Sequence, residues 1–153
     1  CDNNNEAACF GLGNLLYSGE KLTLDRPQAA TLFDKACGLD HVEACNLLAT
    51  MFLEGDGVGA DDERAVTLLE KSCNKRHFPG CLQLAELYTV GRGVDENLSE
   101  AARLFDMSCQ AGIGRACSSL GSMFRLGQGV EKDKAKAKEL IRRGCALGDE
   151  EGC

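Results

Sequence analysis

The chain has 153 residues, 44% apolar and 27% charged, which is ordinary for a folded protein, and it contains no run of 18 or more apolar residues that would cross a bilayer as a helix. Seventeen basic residues against 24 acidic ones give a net charge of −7 with no basic stripe to offset it, which excludes a phosphate backbone, and with it nucleic acid, as partner. Ten cysteines in so short a chain are the strongest compositional signal.

The cysteines stand at positions 1, 9, 37, 45, 73, 81, 109, 117, 145 and 153, so their separations alternate 8 and 28 along the whole chain. A fixed 36-residue period is the signature of a repeat array, in which each unit buries its apolar face on the next instead of sharing one central core. Four copies follow: 9–44, 45–80, 81–116 and 117–152. Residues 1–8 read as the tail of a preceding repeat and Cys153 as the start of a further one. On that reading the sequence is part of a longer protein, and any signal peptide lies outside it.

The first predicted helix of each copy opens about three residues before a cysteine and ends ten residues after it. Leu12, Leu48, Leu84 and Leu120 follow their cysteines by three residues, and the next position is small (Gly13, Ala49, Ala85, Gly121), so that another helix can come close. Leu15, Met51, Leu87 and Met123 extend the buried stripe, with Leu16, Phe52, Tyr88 and Phe124 beside them. Gly19, Gly55, Gly91 and Gly127 are the predicted left-handed C-caps. Three copies continue as Gly57-Val58, Gly93-Val94 and Gly129-Val130, with the valine expected to plug the end of the helix pair. The first copy has Lys21 and Leu22 there and is expected to turn differently.

A second predicted helix opens after Asp25, Asp61, Asn97 and Asp133, residue types whose side-chain oxygen caps a helix N-terminus. Gln28 and Glu100, three residues on, are expected to complete capping boxes, and Pro27 suits the first turn. Its apolar face comes from Ala29, Ala65, Ala101 and Ala137, then Leu32, Leu68, Leu104 and Leu140, then Phe33, Leu69, Phe105 and Ile141. The next cysteine falls in the last turn, and the one after it in the first turn of the following helix.

Two antiparallel helices joined by a short loop bring those turns within the roughly 4.4–6.8 Å Cα separation that a disulfide spans. The favoured pairing is therefore Cys1 with Cys9, Cys37 with Cys45, Cys73 with Cys81, Cys109 with Cys117 and Cys145 with Cys153. Other connectivities exist; the 28-residue one joins a helix start to a helix end and strands Cys1 and Cys153. If the cysteines are so bridged, the compartment is the periplasm, the exterior or another oxidising space.

Helix pairs at this period, with Leu120-Gly121, Gly127-Gln128-Gly129-Val130, Asp133 and Ala137 in the last copy, resemble Sel-one-like repeats. The added cysteine pair makes the chain similar to the Helicobacter cysteine-rich protein family, over essentially its whole length, with a departure at Lys21 and Leu22. The resemblance implies an all-α fold, a right-handed α-solenoid of αα-hairpins stapled by disulfides and related in shape to tetratricopeptide arrays. It also implies a secreted or periplasmic adaptor or scaffold for proteins. Family members assigned penicillin binding or slow β-lactam hydrolysis supply one alternative, a weak β-lactamase or a binder of peptidoglycan peptides. Cysteine-rich relatives of the mitochondrial intermembrane space supply another, an assembly factor or structural subunit.

Chemistry has little to stand on. Ser18-Gly-Glu-Lys21 and Ser72-Cys-Asn-Lys75 match the Ser-x-x-Lys element of β-lactam enzymes, but the sequence has neither the Ser-Asp-Asn nor the Lys-Thr-Gly companion, so no catalytic residue is assigned. His41 and His77 each stand between two cysteines at ligand-like spacing. The equivalent positions elsewhere are Asn5, Ile113 and Asp149, so the cysteine spacing persists where the histidine does not. Disulfides are therefore favoured over zinc, and neither metal nor cofactor is expected.

What varies between copies is the part of the first helix outside the buried stripe: Phe10, Asn14 and Tyr17; Asn46, Thr50 and Leu53; Leu82, Glu86 and Thr89; Ser118, Ser122 and Arg125. First helices of stacked pairs usually line the concave wall, so these residues are the expected groove for a protein or peptide partner. Phe10, Tyr17, Leu53 and Leu82 are its candidate apolar anchors.

Overall fold

The computed structural model describes residue 1, residues 5–20, residues 23–150 and residue 153. Among the described residues there are eight α-helices and no strand: α1 (Glu6–Ser18), α2 (Arg26–Gly38), α3 (Val42–Glu54), α4 (Asp62–Asn74), α5 (Phe78–Val90), α6 (Leu98–Gln110), α7 (Gly114–Leu126) and α8 (Lys134–Ala146). They fall into two compact units, Cys1–His77 and Phe78–Cys153. The first contains the hairpins α1/α2 and α3/α4, with α2 packed on α3; the second contains α5/α6 and α7/α8, with α6 packed on α7.

The helix ends fall where local chemistry puts them. Gly19, Gly55, Gly91 and Gly127 are all left-handed, with φ of 69°, 69°, 66° and 76°, the backbone region that glycine enters without a Cβ penalty. At the other side of the turn, Asp25, Asp61, Asn97 and Asp133 accept from the backbone N–H of Gln28, Arg64, Glu100 and Lys136. The N–H of each cap residue in turn donates back to the first helix: Asp25 to Leu16 at 3.0 Å, Asp61 to Phe52 at 3.0 Å, Asn97 to Tyr88 at 2.9 Å and Asp133 to Phe124 at 2.9 Å. One backbone bond thus closes every hairpin.

That bond corrects the expected capping boxes. The cap N–H already has an acceptor, so none is required of the residue three further on, and the Glu100 carboxylate instead pairs with Arg103 on its own helix.

The small-residue column lies where the two helices of a hairpin meet. A Cβ on Gly13 would stand 2.7 Å from Phe33 Cε1, and one on Gly121 2.8 Å from Ile141 Cγ1, closer than carbon atoms pack. The alanine column of the second helix, Ala29, Ala65, Ala101 and Ala137, is buried throughout. Leu12 departs from its column. It is 38% exposed, whereas Leu48, Leu84 and Leu120 are at 2%, 4% and 2%. Leu48 faces Pro27, Ala30 and Thr31 of α2, the second helix of the hairpin before it, and among the described residues no helix precedes α1 to do the same for Leu12. Leu15 is half-buried as well, and Val58, Val94 and Val130 close their turns only in part. Lys21 and Leu22 lie outside the described residues.

Candidate partner-binding face

The loops that join one hairpin to the next carry the disulfides. Cys1 is bonded to Cys9, Cys37 to Cys45, Cys109 to Cys117 and Cys145 to Cys153, with Cα separations of 4.6, 4.7, 4.6 and 5.1 Å. Cys73 and Cys81 are disulfide-bonded as well. A cation reinforces this edge: Lys71 Nζ donates to the Cys37 carbonyl at 2.6 Å, and Arg143 does the same to Cys109 at 3.2 Å, each neutralising the negative end of the preceding second helix. Asp40 accepts from both Lys71 and Lys75, which holds its carboxyl below the usual carboxylate range.

The two histidines act in these loops. His41 is the N-cap of α3, its Nδ1 accepting from the Ala44 N–H at 3.3 Å. His77 is half-buried, and burial lowers its pKa from the ordinary value against an opposing pull from Glu43. Among the described residues no group of three or more His, Cys, Asp or Glu side chains is placed to hold a metal. Ser72 is fully buried, out of reach of a dissolved substrate, and Lys75 pairs with Asp40. Ser18 is exposed at the end of α1 and its Oγ accepts from the Glu20 N–H, while Lys21 lies outside the described residues.

The twelve variable residues of the first helices share an intermediate environment: eleven are half-buried and Arg125 is exposed. On α1 two of the three are aromatic. The Phe10 ring stacks on His41 with centroids 4.1 Å apart and lies 5.9 Å from Phe33; Tyr17 lies 6.2 Å from Phe33. Arg26 sits over the Tyr17 ring at 5.5 Å and pairs with Asp56. Burial, then the Asp56 charge and its hydrogen bond, raise the Tyr17 hydroxyl above its ordinary pKa.

Along α3 the Thr50 hydroxyl turns inward to the Asn46 carbonyl at 3.2 Å, and on α5 Thr89 does the same to Ala85 at 2.8 Å. Glu86 pairs with Arg115 of α7 at 3.1 Å, and burial raises its carboxyl against that opposing charge. Ser118 Oγ is buried against α8, where a Cβ on Gly144 would strike it, and has no hydrogen-bond partner.

The structure therefore brings Phe10 and Tyr17 onto one buried ring, Phe33, sets the loop residue His41 against Phe10, and adds residues that the repeat columns did not single out: Arg26, Asp56 and Arg115. Arg115 was within reach of helical spacing, since it precedes Ser118, Ser122 and Arg125 on one stripe of α7. The Arg26–Asp56 pair, thirty residues apart, has no local signal.

Hairpins of two 13-residue helices at a 36-residue period, glycine-capped and joined by disulfides eight residues apart, define a disulfide-stapled αα-repeat protein. The Sel1 repeat profile matches residues 6–41, 42–77, 79–113 and 114–149, and the chain belongs to that family. Sel1 repeats generally mediate protein interactions. Among solved structures the chain is similar to c5321, a protective antigen of uropathogenic Escherichia coli strains with an SLR fold (27% identity, TM-score 0.95, 99% of this chain and 32% of that one). It is also similar to the Helicobacter pylori cysteine-rich protein B (25% identity, TM-score 0.65, 81% of this chain and 94% of that one). A Sel1 repeat protein from Oxalobacter formigenes shares the fold at 24% identity, with a TM-score of 0.91 over 97% of this chain and 61% of that one. The chain thus spans about a third of the Escherichia coli protein and about three fifths of the Oxalobacter one. No curated protein sequence matches it.

Proposed function

We propose that this chain is a non-catalytic scaffold that holds a protein or peptide partner on the variable first-helix residues of its repeats, in the periplasm or outside the cell. The observation that carries the reading is the contrast between columns. Caps, small residues and cysteines repeat from copy to copy, while the half-buried positions beside them change from aromatic to amide to carboxylate to hydroxyl on the same frame. A constant frame with variable contacts suits recognition of one particular partner. All ten cysteines are disulfide-bonded, which calls for an oxidising compartment, and no helix among the described residues is long and apolar enough to cross a membrane.

The test is site-specific photocrosslinking of the protein exported to a bacterial periplasm, with benzoylphenylalanine at Leu53 or Thr89 and, as controls, at the exposed second-helix positions Glu63 or Lys138. A discrete adduct from the first pair alone is the expected result. Adducts from the controls alone, or from no position, would sink the proposal.

A further inference from the structure

Phe10 and Tyr17 form an aromatic pair that no other copy has. The equivalent positions are Asn46, Leu82 and Ser118 for Phe10, and Leu53, Thr89 and Arg125 for Tyr17. Both rings are half-buried and held from behind, Phe10 by His41 and both by the fully buried Phe33, so a ligand meets them already ordered.

Among extended ligands their spacing discriminates. Seven residues along α1 correspond to about 10.5 Å of rise. Two rings 5.9 and 6.2 Å from the Phe33 centroid lie no more than about 12 Å apart. A polyproline-II segment presents side chains on one side every third residue, about 9.3 Å apart. A β-strand presents them about 6.8 or 13.6 Å apart and fits less well. Asn14 stands between the rings on the same side of α1, where a carboxamide can pair with the exposed peptide groups of such a segment.

Charge adds a second selection. The unit Cys1–His77 carries 13 acidic and seven basic residues, and beside Tyr17 the Arg26 charge is already matched by Asp56, leaving Glu54 without an ion-pair partner among the described residues. Resting on the partner-binding reading above, we propose that Phe10 and Tyr17 seat two side chains, three residues apart, of a polyproline-II segment that carries a lysine or arginine beside them.

Random peptides of about twelve residues, displayed on phage and selected on the intact oxidised chain, provide the probe, with synthetic fluorescent copies of the enriched sequences measured by polarisation. Enriched peptides should carry prolines three apart next to Lys or Arg. Their Kd should rise about tenfold on Tyr17→Ala or Phe10→Leu, rise with salt, and stay within about twofold on the second-helix variants Glu63→Ala or Lys138→Ala. Tyr17→Phe, which keeps the ring and removes its bond to Asp56, should bind like the parent and guards against a loss caused by misfolding.

Enrichment without that pattern, or binding indifferent to Phe10→Leu and Tyr17→Ala, overturns the inference. If such peptides lose affinity on Leu53→Ala or Leu82→Ala instead, the face remains a binding surface with its anchor elsewhere. If nothing enriches, or no substitution on the face weakens binding, both readings fail.

Discussion

At position 77 a histidine stands in a column otherwise filled by Asn5, His41, Ile113 and Asp149, and the backbone explains why so many side chains are accepted there. The N–H of His41, His77, Ile113 and Asp149 donates to the carbonyl five residues earlier, to Ala36, Ser72, Ser108 and Gly144. The loop is held by that bond and by the cysteines on either side, so its side chain is left to local use. For His77 the use has a pH signature. Its folded-state pKa is lowered by burial, so in acid the unfolded chain takes up the proton first. The contribution is fully present above the ordinary value of about 6.5 and is lost as pH falls from there through the lowered folded value. Urea midpoints at neutral and mildly acid pH are expected to differ more for the parent than for His77→Asn; equal differences would show that His77 is not the group. The repeat columns located this loop residue, but its titration depends on burial and on Glu43, which no column records.

Helix ends were the most legible elements, because a cap is a contact between residues two or three apart. Asp61→Ala removes the acceptor for the Arg64 N–H and should cost about 1 kcal/mol. Glu100→Ala removes only a pairing with Arg103 on the helix surface and should cost no more than a few tenths of a kcal/mol. A full capping box at Asn97 would make the two losses comparable, so denaturant titration of both variants separates the possibilities. The sequence pattern suggested that box because Asn and Glu stand three apart. The structure withholds it because the Asn97 N–H is already committed to the Tyr88 carbonyl, nine residues back across the turn.

For the molecule as a whole, the disulfides differ in how readily a reductant reaches them. Cys37, Cys45, Cys109 and Cys117 are buried, whereas Cys153 is exposed and Cys145 half-buried. Under rising dithiothreitol with alkylation of the freed thiols, the Cys145–Cys153 bond is expected to open first and the Cys37–Cys45 and Cys109–Cys117 bonds last. Uniform labelling of all three at once would mean that reduction follows global unfolding. On the chain-entropy picture each lost bridge removes roughly 2–3 kcal/mol, so the fully reduced chain should melt well below the oxidised one. The sequence alone determined the period, the helix limits, the small-residue column and cysteine pairs eight apart, because each arises from contacts between near neighbours copied at every repeat. Only the tertiary structure decided that Phe10 leans on His41. It alone paired Arg26 with Asp56 and Glu86 with Arg115. Those outcomes depend on side chains from different helices, and a repeat pattern says which positions face a neighbour without saying what that neighbour presents.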